Sequence, residues 1–275
     1  MTDLVNFDKA TIQSDPFPHA MIDGVLDQPL FDAMHADFPA DEVFLRNQLT
    51  DSTGGRSSRI NLCRYNDDFK QHMQKSEAWR TFYEYANSPE YVRYVLDFFG
   101  DQIKAFGGQL DNEDWVFDAS AEHPPLRFSE KVLNKTGARN AIDRLQSLLR
   151  QDALTVNFDI AYGGGGYGTE IHTDNRNKLS AMLIYFNDPG GKGGAFCVHE
   201  EITGKPLAQC ERYPSEEKTR IEKMVQPKPN RGLILLNCNK SYHSAQAITE
   251  NPVSRKFLYV SVNKRFVNNM WETVI

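Results

Sequence analysis

The chain has 275 residues and a mass of 31.4 kDa, enough to bury a large core without disulfide or metal staples. With 31 Lys and Arg against 37 Asp and Glu its net charge is −6, which argues against the broadly basic face of a general nucleic-acid binder. No apolar run has the length of a membrane helix, so no membrane partner is expected.

The N-terminus MTDLVNFDKATIQSD has neither a basic region nor an apolar run, and no secretory signal is expected there. Asp27 caps a predicted helix with Leu30, Phe31 and Met34 on one side, ending before Pro39. The stretch GGRSSRINLCRYNDDF comes next, with Arg56, Arg59 and Arg64 in a glycine- and serine-containing setting. Its plain reading is a solvated loop, and its functional reading is a segment that pairs with an anionic substrate. Trp79, Phe82 and Tyr83 make one helical face. Ser88-Pro89-Glu90 is an N-cap followed by proline at the first helical position, and Tyr91, Val95, Phe98 and Phe99 recur behind it at helical spacing. Asp111, Glu113, Asp114 and Asp118 form an acidic patch that favours a cationic substrate. A further helix is expected over 138–151, with Ile142, Leu145, Leu148 and Leu149 inward.

From about Leu154 the pattern turns to strands. LTVNFDIAY, KLSAMLIYF, GAFCVH, GLILLN, SYHSAQAI and KFLYVSV are short, rich in β-branched and aromatic residues, and separated by Gly, Pro and Asn. They predict an antiparallel sandwich or barrel, with jelly-roll topology an option. The polar insertion between Val198 and Gln226 is expected to be a loop with a short helix over 215–224. The whole reads as one domain, 1–275, in which a mainly helical layer (1–153) supports a β core (154–268). Cys63, Cys197, Cys210 and Cys238 form no closely spaced pair and read as reduced thiols of a cytoplasmic protein.

The stretch from Tyr162 through GGGGYGTEIHTDN to Arg176 carries the chemistry. His172 and Asp174 stand two apart, so on an extended strand they project to one face. His243 lies 71 positions later in another strand-like segment. Two histidines and one carboxylate on one face of a metal leave the opposite face open, as in the facial triad of non-haem Fe(II) oxygenases. The plain alternative is a pair of structural histidines with a turn-forming Asp174-Asn175. Arg255 opens an apolar strand, placed to pair with a carboxylate. Tyr162 and Tyr185 offer hydroxyls in an apolar setting, Tyr162 being equally readable as a core residue. The glycine run 163–168 lacks the ending of a phosphate loop and reads as a lid or tight bend. His19, His35, His72, His123 and His199 have no ligand-spaced partner.

The order Tyr162, His172-Thr-Asp174, Tyr185, Gly193-Gly194-x-Phe196, Pro227, His243, Arg255 resembles the iron(II)- and 2-oxoglutarate-dependent oxygenases, closest to their prolyl-hydroxylase-like branch. The resemblance covers roughly 154–265; in the N-terminal half, PFPHAMIDGVLDQPLFDAMHADFP is similar to the opening of many bacterial members. It implies an α+β fold, a double-stranded β-helix (jelly-roll or cupin-like) with N-terminal supporting helices. It implies His172, Asp174 and His243 as Fe(II) ligands, and Arg255, Tyr185 and Tyr162 as contacts of the cosubstrate 2-oxoglutarate, with O2 as oxidant. The implied reaction is hydroxylation of an unactivated C–H bond with release of succinate and CO2. A carboxylate at 174 departs from the halogenases of this family, which have Gly or Ala there. The expected partner is a small-molecule substrate, amino-acid-like or a natural-product intermediate. The alternatives are a peptidyl prolyl hydroxylase and a non-catalytic β-barrel that binds metal or a carboxylate. No oligomeric state is specified.

Overall fold

The computed structural model describes residues 3–48, 59–108, 110, 115–119, 152–204, 211–265 and 270–271. In chain order the elements begin with β1 (His19–Asp23), α1 (Gln28–Ala36), α2 (Asp41–Gln48), β2 (Arg59–Leu62), α3 (Asp67–Lys75), α4 (Glu77–Ala86), α5 (Pro89–Phe98) and α6 (Gly100–Ala105). Next come β3 (Trp115–Phe117), β4 (Asp152–Gly163), β5 (Thr169–His172), β6 (Lys178–Tyr185) and β7 (Phe196–Glu201). The last are β8 (Thr219–Val225), β9 (Arg231–Leu236), β10 (His243–Ala245) and β11 (Arg255–Lys264).

The helix starts obey local chemistry. Ser76 Oγ accepts from the Trp79 amide at the head of α4, and Ser88 Oγ accepts from the Tyr91 amide at the head of α5, where Pro89 takes the first turn. Each such cap stabilises its helix by about 1 kcal/mol. The predicted helix over 138–151 lies outside the described residues, as do Arg56, Asp111, Glu113, Asp114, His123 and Cys210.

The architecture is α+β. The larger sheet runs β1-β9-β6-β11-β4-β2, with β3 added parallel to β4, and the smaller runs β5-β10-β7-β8. Except at β3 the pairings are antiparallel. Alternation along β4 sets the layers. Phe158 points to the helices, where it meets Phe69, Trp79, Phe82 and Tyr83, while Asn157 and Asp159 point the other way, into a cavity between the sheets. Trp79 is fully buried, stacks on Phe186 beyond the end of β6, and donates its indole N–H to the Met34 carbonyl. Helices and sheet thus share one apolar core. Truncating Trp79 to Ala would cost roughly 3–5 kcal/mol.

One local expectation is corrected, and the mainly helical N-terminal half also supplies strands to the β core. β1 and β2 close the two edges of the larger sheet through β9 and β4. Both strands are too short for their alternation to stand out. The helix expected over 215–224 is one 3-10 turn, Glu216–Lys218, followed by β8. Its backbone pairs with β7, and that non-local ladder overrides the helical propensity of its Glu, Lys and Met.

Candidate active site

A cavity of about 250 Å³ opens between the sheets and is lined by His172, Asp174 and His243 together with Arg255. One ligand atom from each triad residue lies within 4.8 Å of the other two. His172 ends β5 and pairs in register with His243 of β10, their rings 4.4 Å apart. Asp174 is not on a strand, contrary to the extended spacing read from sequence; it sits in the turn that joins β5 to β6. That turn is pinned by the buried Asn237. Its Oδ1 accepts from the Asp174 amide, and its Nδ2 donates to the carbonyls of Asn175 and Lys178.

Backbone carbonyls orient both imidazoles. His172 Nδ1–H donates to the Glu170 carbonyl and His243 Nδ1–H to the Ser241 carbonyl, each at 2.8 Å. This leaves each Nε2 with its lone pair free, the tautomer a metal ligand needs. Burial pushes the His243 imidazolium down to about 3, with His172 nearby adding to the effect. Burial also lowers the pKa of His172, against the pull of Asp174. Both rings are therefore neutral at neutral pH. Phe196 stacks on His243, and Tyr213 on His172, further fixing the planes.

Asp174 is divided between two tasks. Its Oδ2 accepts from Lys178 Nζ at 2.9 Å and from the Tyr259 hydroxyl at 3.0 Å. Its Oδ1 faces His172 Nε2 at 4.0 Å. Burial opposes ionisation, but Lys178 and the two histidines outweigh it and hold the carboxyl well below the usual range. Lys178 also contacts the Tyr259 hydroxyl directly. Neither Lys178 nor Tyr259 was found from sequence; an i, i+4 Asp–Lys spacing was the only signal for the first.

Arg255 is 1% exposed at the start of β11. Its Nη2 donates to the Tyr185 hydroxyl at 2.8 Å, its Nε has no partner, and no carboxylate among the described residues pairs with it. The guanidinium is ringed by Phe257, Tyr185 and Tyr167 at 4.6, 5.1 and 5.9 Å from the ring centres. A buried cation without counter-charge is costly unless a ligand brings the negative charge.

Tyr162 stands apart from these residues. It shares the outward face of β4 with Phe158, stacks on Phe44, and directs its hydroxyl towards Asp41 and Ser254. It does not line the cavity, whereas Tyr167, which the sequence did not single out, is buried and does. The glycine run makes this possible. A Cβ at Gly163 would overlap the Tyr167 ring. The bend is tied down where the Gly166 amide donates to the Ile248 carbonyl and the Ile248 amide donates to the Tyr167 carbonyl. It is a fastened turn rather than a free lid.

Of the arginine-bearing stretch, Arg59 enters the cavity from β2, while Arg64 is half-buried and donates to the Ala119 carbonyl. Asp118 pairs with Arg265. The acidic-patch reading therefore fails at Asp118, whose charge is already engaged.

No family model matches the chain, and no curated protein matches it. Among solved structures it is similar to a prolyl-4-hydroxylase from Pseudomonas putida, at 10% identity and a TM-score of 0.45, over 90% of this chain and 92% of that one. It is also similar to an oxidoreductase of the 2OG-Fe(II) oxygenase family from Burkholderia pseudomallei, at 14% identity and a TM-score of 0.29, over 54% of this chain and 63% of that one.

Proposed function

We propose that this chain is an Fe(II)- and 2-oxoglutarate-dependent dioxygenase, folded as a single domain around a double-stranded β-helix and acting in the cytoplasm. The observation that carries this reading is one cavity holding two oriented neutral imidazoles, one shared carboxylate and, apart from them, a buried arginine that pairs with no carboxylate among the described residues. A metal-binding protein needs the first three but has no use for the last.

The donor set fits Fe(II): two nitrogen ligands from His172 and His243, one oxygen ligand from Asp174, and, among the described residues, no protein ligand opposite. Bound there, Fe(II) supplies oxygen activation, coupling decarboxylation of 2-oxoglutarate to succinate and CO2 with insertion of one O2 oxygen into a substrate C–H bond. The chain's own residues do the positioning. Lys178 and Tyr259 hold Asp174 Oδ2 and so leave Oδ1 for the metal. Arg255, oriented by Tyr185, binds the distal carboxylate of 2-oxoglutarate, and Phe257 and Tyr167 keep water from that pair. Tyr167 takes the place expected of Tyr162 as the second tyrosine of this pocket. The primary substrate is a small molecule.

The test is spectroscopic. Anaerobic addition of Fe(II) and 2-oxoglutarate produces a weak visible charge-transfer band. A folded protein that binds neither, or gives no band, overturns the reading. A band without succinate release under air, across a broad substrate screen, leaves only a binding protein. A mass increase on proline in a digested peptide target would make the enzyme a peptidyl prolyl hydroxylase.

A further inference from the structure

The inward residues of β11 follow the cavity from end to end. Arg255 and Phe257 form its anion-binding end, and Tyr259, two residues on, holds Asp174. The next inward residue is Ser261, about 7 Å further along the strand. Register extends it into a rung across four strands: Asn157 of β4, Ser261 of β11, Ala181 of β6 and Leu235 of β9, all of which line the cavity. No member of this rung is charged. The charged side chains around it are engaged elsewhere, Lys178 on Asp174 at 2.9 Å and Arg59 between Asp159 and the Tyr259 ring. Ser261 is held by Asn263, whose Nδ2 donates to its carbonyl and to its Oγ. Asn157 Oδ1, by contrast, is buried with no hydrogen-bond partner, an unmet acceptor that costs free energy until a donor reaches it.

Resting on the oxygenase reading above, which puts 2-oxoglutarate between the metal and Arg255, we propose that this rung receives the primary substrate through Asn157. The substrate is an uncharged small molecule whose amide shows N–H and C=O on one edge, a primary carboxamide or a lactam. The Asn157 carboxamide carries the same donor and acceptor side by side. Two such edges close a pair of parallel hydrogen bonds, substrate N–H to Oδ1 and Nδ2–H to the substrate carbonyl. The last torsion of an asparagine is broad, so the group turns to meet its ligand. An ammonium or carboxylate head would enter a rung with no counter-charge, and burying an unpaired charge is costly. An acyclic secondary amide, a peptide bond included, is trans, with its N–H and C=O on opposite sides. It reaches Asn157 with one bond at a time. Ala181 and Leu235 cover the apolar carbon beside the amide.

The test is a calorimetric titration of the protein loaded anaerobically with Fe(II) and 2-oxoglutarate. The probes are the straight-chain primary amides from propanamide to octanamide, their matching carboxylates and N-methyl amides, and 2-pyrrolidone, 2-piperidone and ε-caprolactam with their N-methyl forms. At least one primary amide or lactam binds, and its charged or N-methylated counterparts bind at least about tenfold more weakly. Asn157→Leu and Asn157→Ala each weaken that amide by a similar factor and keep the visible chelate band, which shows that the variants are folded and loaded. The comparison among probes on the unaltered protein needs neither variant. Counterparts that bind as tightly as the amides, no binding by any amide or lactam, prolyl peptides that bind in their place, or indifference to both substitutions would each overturn the proposal. Absence of the chelate band in the unaltered protein would instead overturn the oxygenase reading.

Discussion

Two arginines enter the same cavity under opposite conditions. Arg255 is sealed behind aromatic rings with one hydroxyl for company and, among the described residues, no counter-charge. Arg59 is 29% exposed in its side chain and has a carboxylate 4.0 Å away. The first creates a fixed demand for an anion, because removing a guanidinium from water is repaid only by close ionic hydrogen bonds. The second has a carboxylate beside it and the Tyr259 ring under its guanidinium, so its charge makes no such demand. On the oxygenase reading proposed above, the demand for an anionic cosubstrate therefore falls on Arg255.

The contrast can be broken at several points. The largest effect belongs to the metal: His172→Ala or Asp174→Ala abolishes Fe(II)-dependent succinate release, and a direct Fe(II) titration shows the loss of the site. Next is Arg255→Met, which weakens 2-oxoglutarate binding by about 2 kcal/mol or more, roughly thirtyfold, read from the cosubstrate dependence of the chelate band. The same variant without cosubstrate melts at least as high as the unaltered protein, by up to about 2–4 °C per kcal/mol regained, since it removes an unpaired charge. A lower melting point would mean that Arg255 is structural and that its pocket needs no anion. Tyr259→Phe reduces Fe(II) affinity by about 10–100-fold in a chelator competition, because Asp174 Oδ2 loses a donor that fixes the carboxylate. The smallest change is Tyr162→Phe, with an unaltered 2-oxoglutarate requirement and a stability change within about 1 kcal/mol in denaturant unfolding. A raised requirement there would return Tyr162 to the cosubstrate pocket.

Tyr162 and Tyr167 show where sequence reasoning met its limit. Both flank the glycine run, and nothing in their neighbours distinguishes them. Strand parity decides: the inner face of β4 carries Asn157 and Asp159, so Tyr162 falls on the helix side with Phe158, and Tyr167 returns to the cavity only after the glycines turn the chain. His172 and Asp174 were legible as a pair, yet for a partly mistaken reason. They converge because Asn237 pins a turn after β5, not because both lie on one extended strand. β8 was misread because its pairing with β7 lies outside any local window.

By itself the sequence determined what short-range chemistry can encode. Serine and proline start α4 and α5, alternation and β-branching mark the long strands, and the chain carries two histidines, one aspartate and one arginine of the right kinds. Only the tertiary structure decided which of these groups meet. The contacts that make the site a chemical unit, Lys178 with Tyr259, Tyr259 with Asp174, and Tyr185 with Arg255, join residues 81, 85 and 70 positions apart. Such contacts depend on sheet order and register, and a shift of one residue would turn every inward side chain outward.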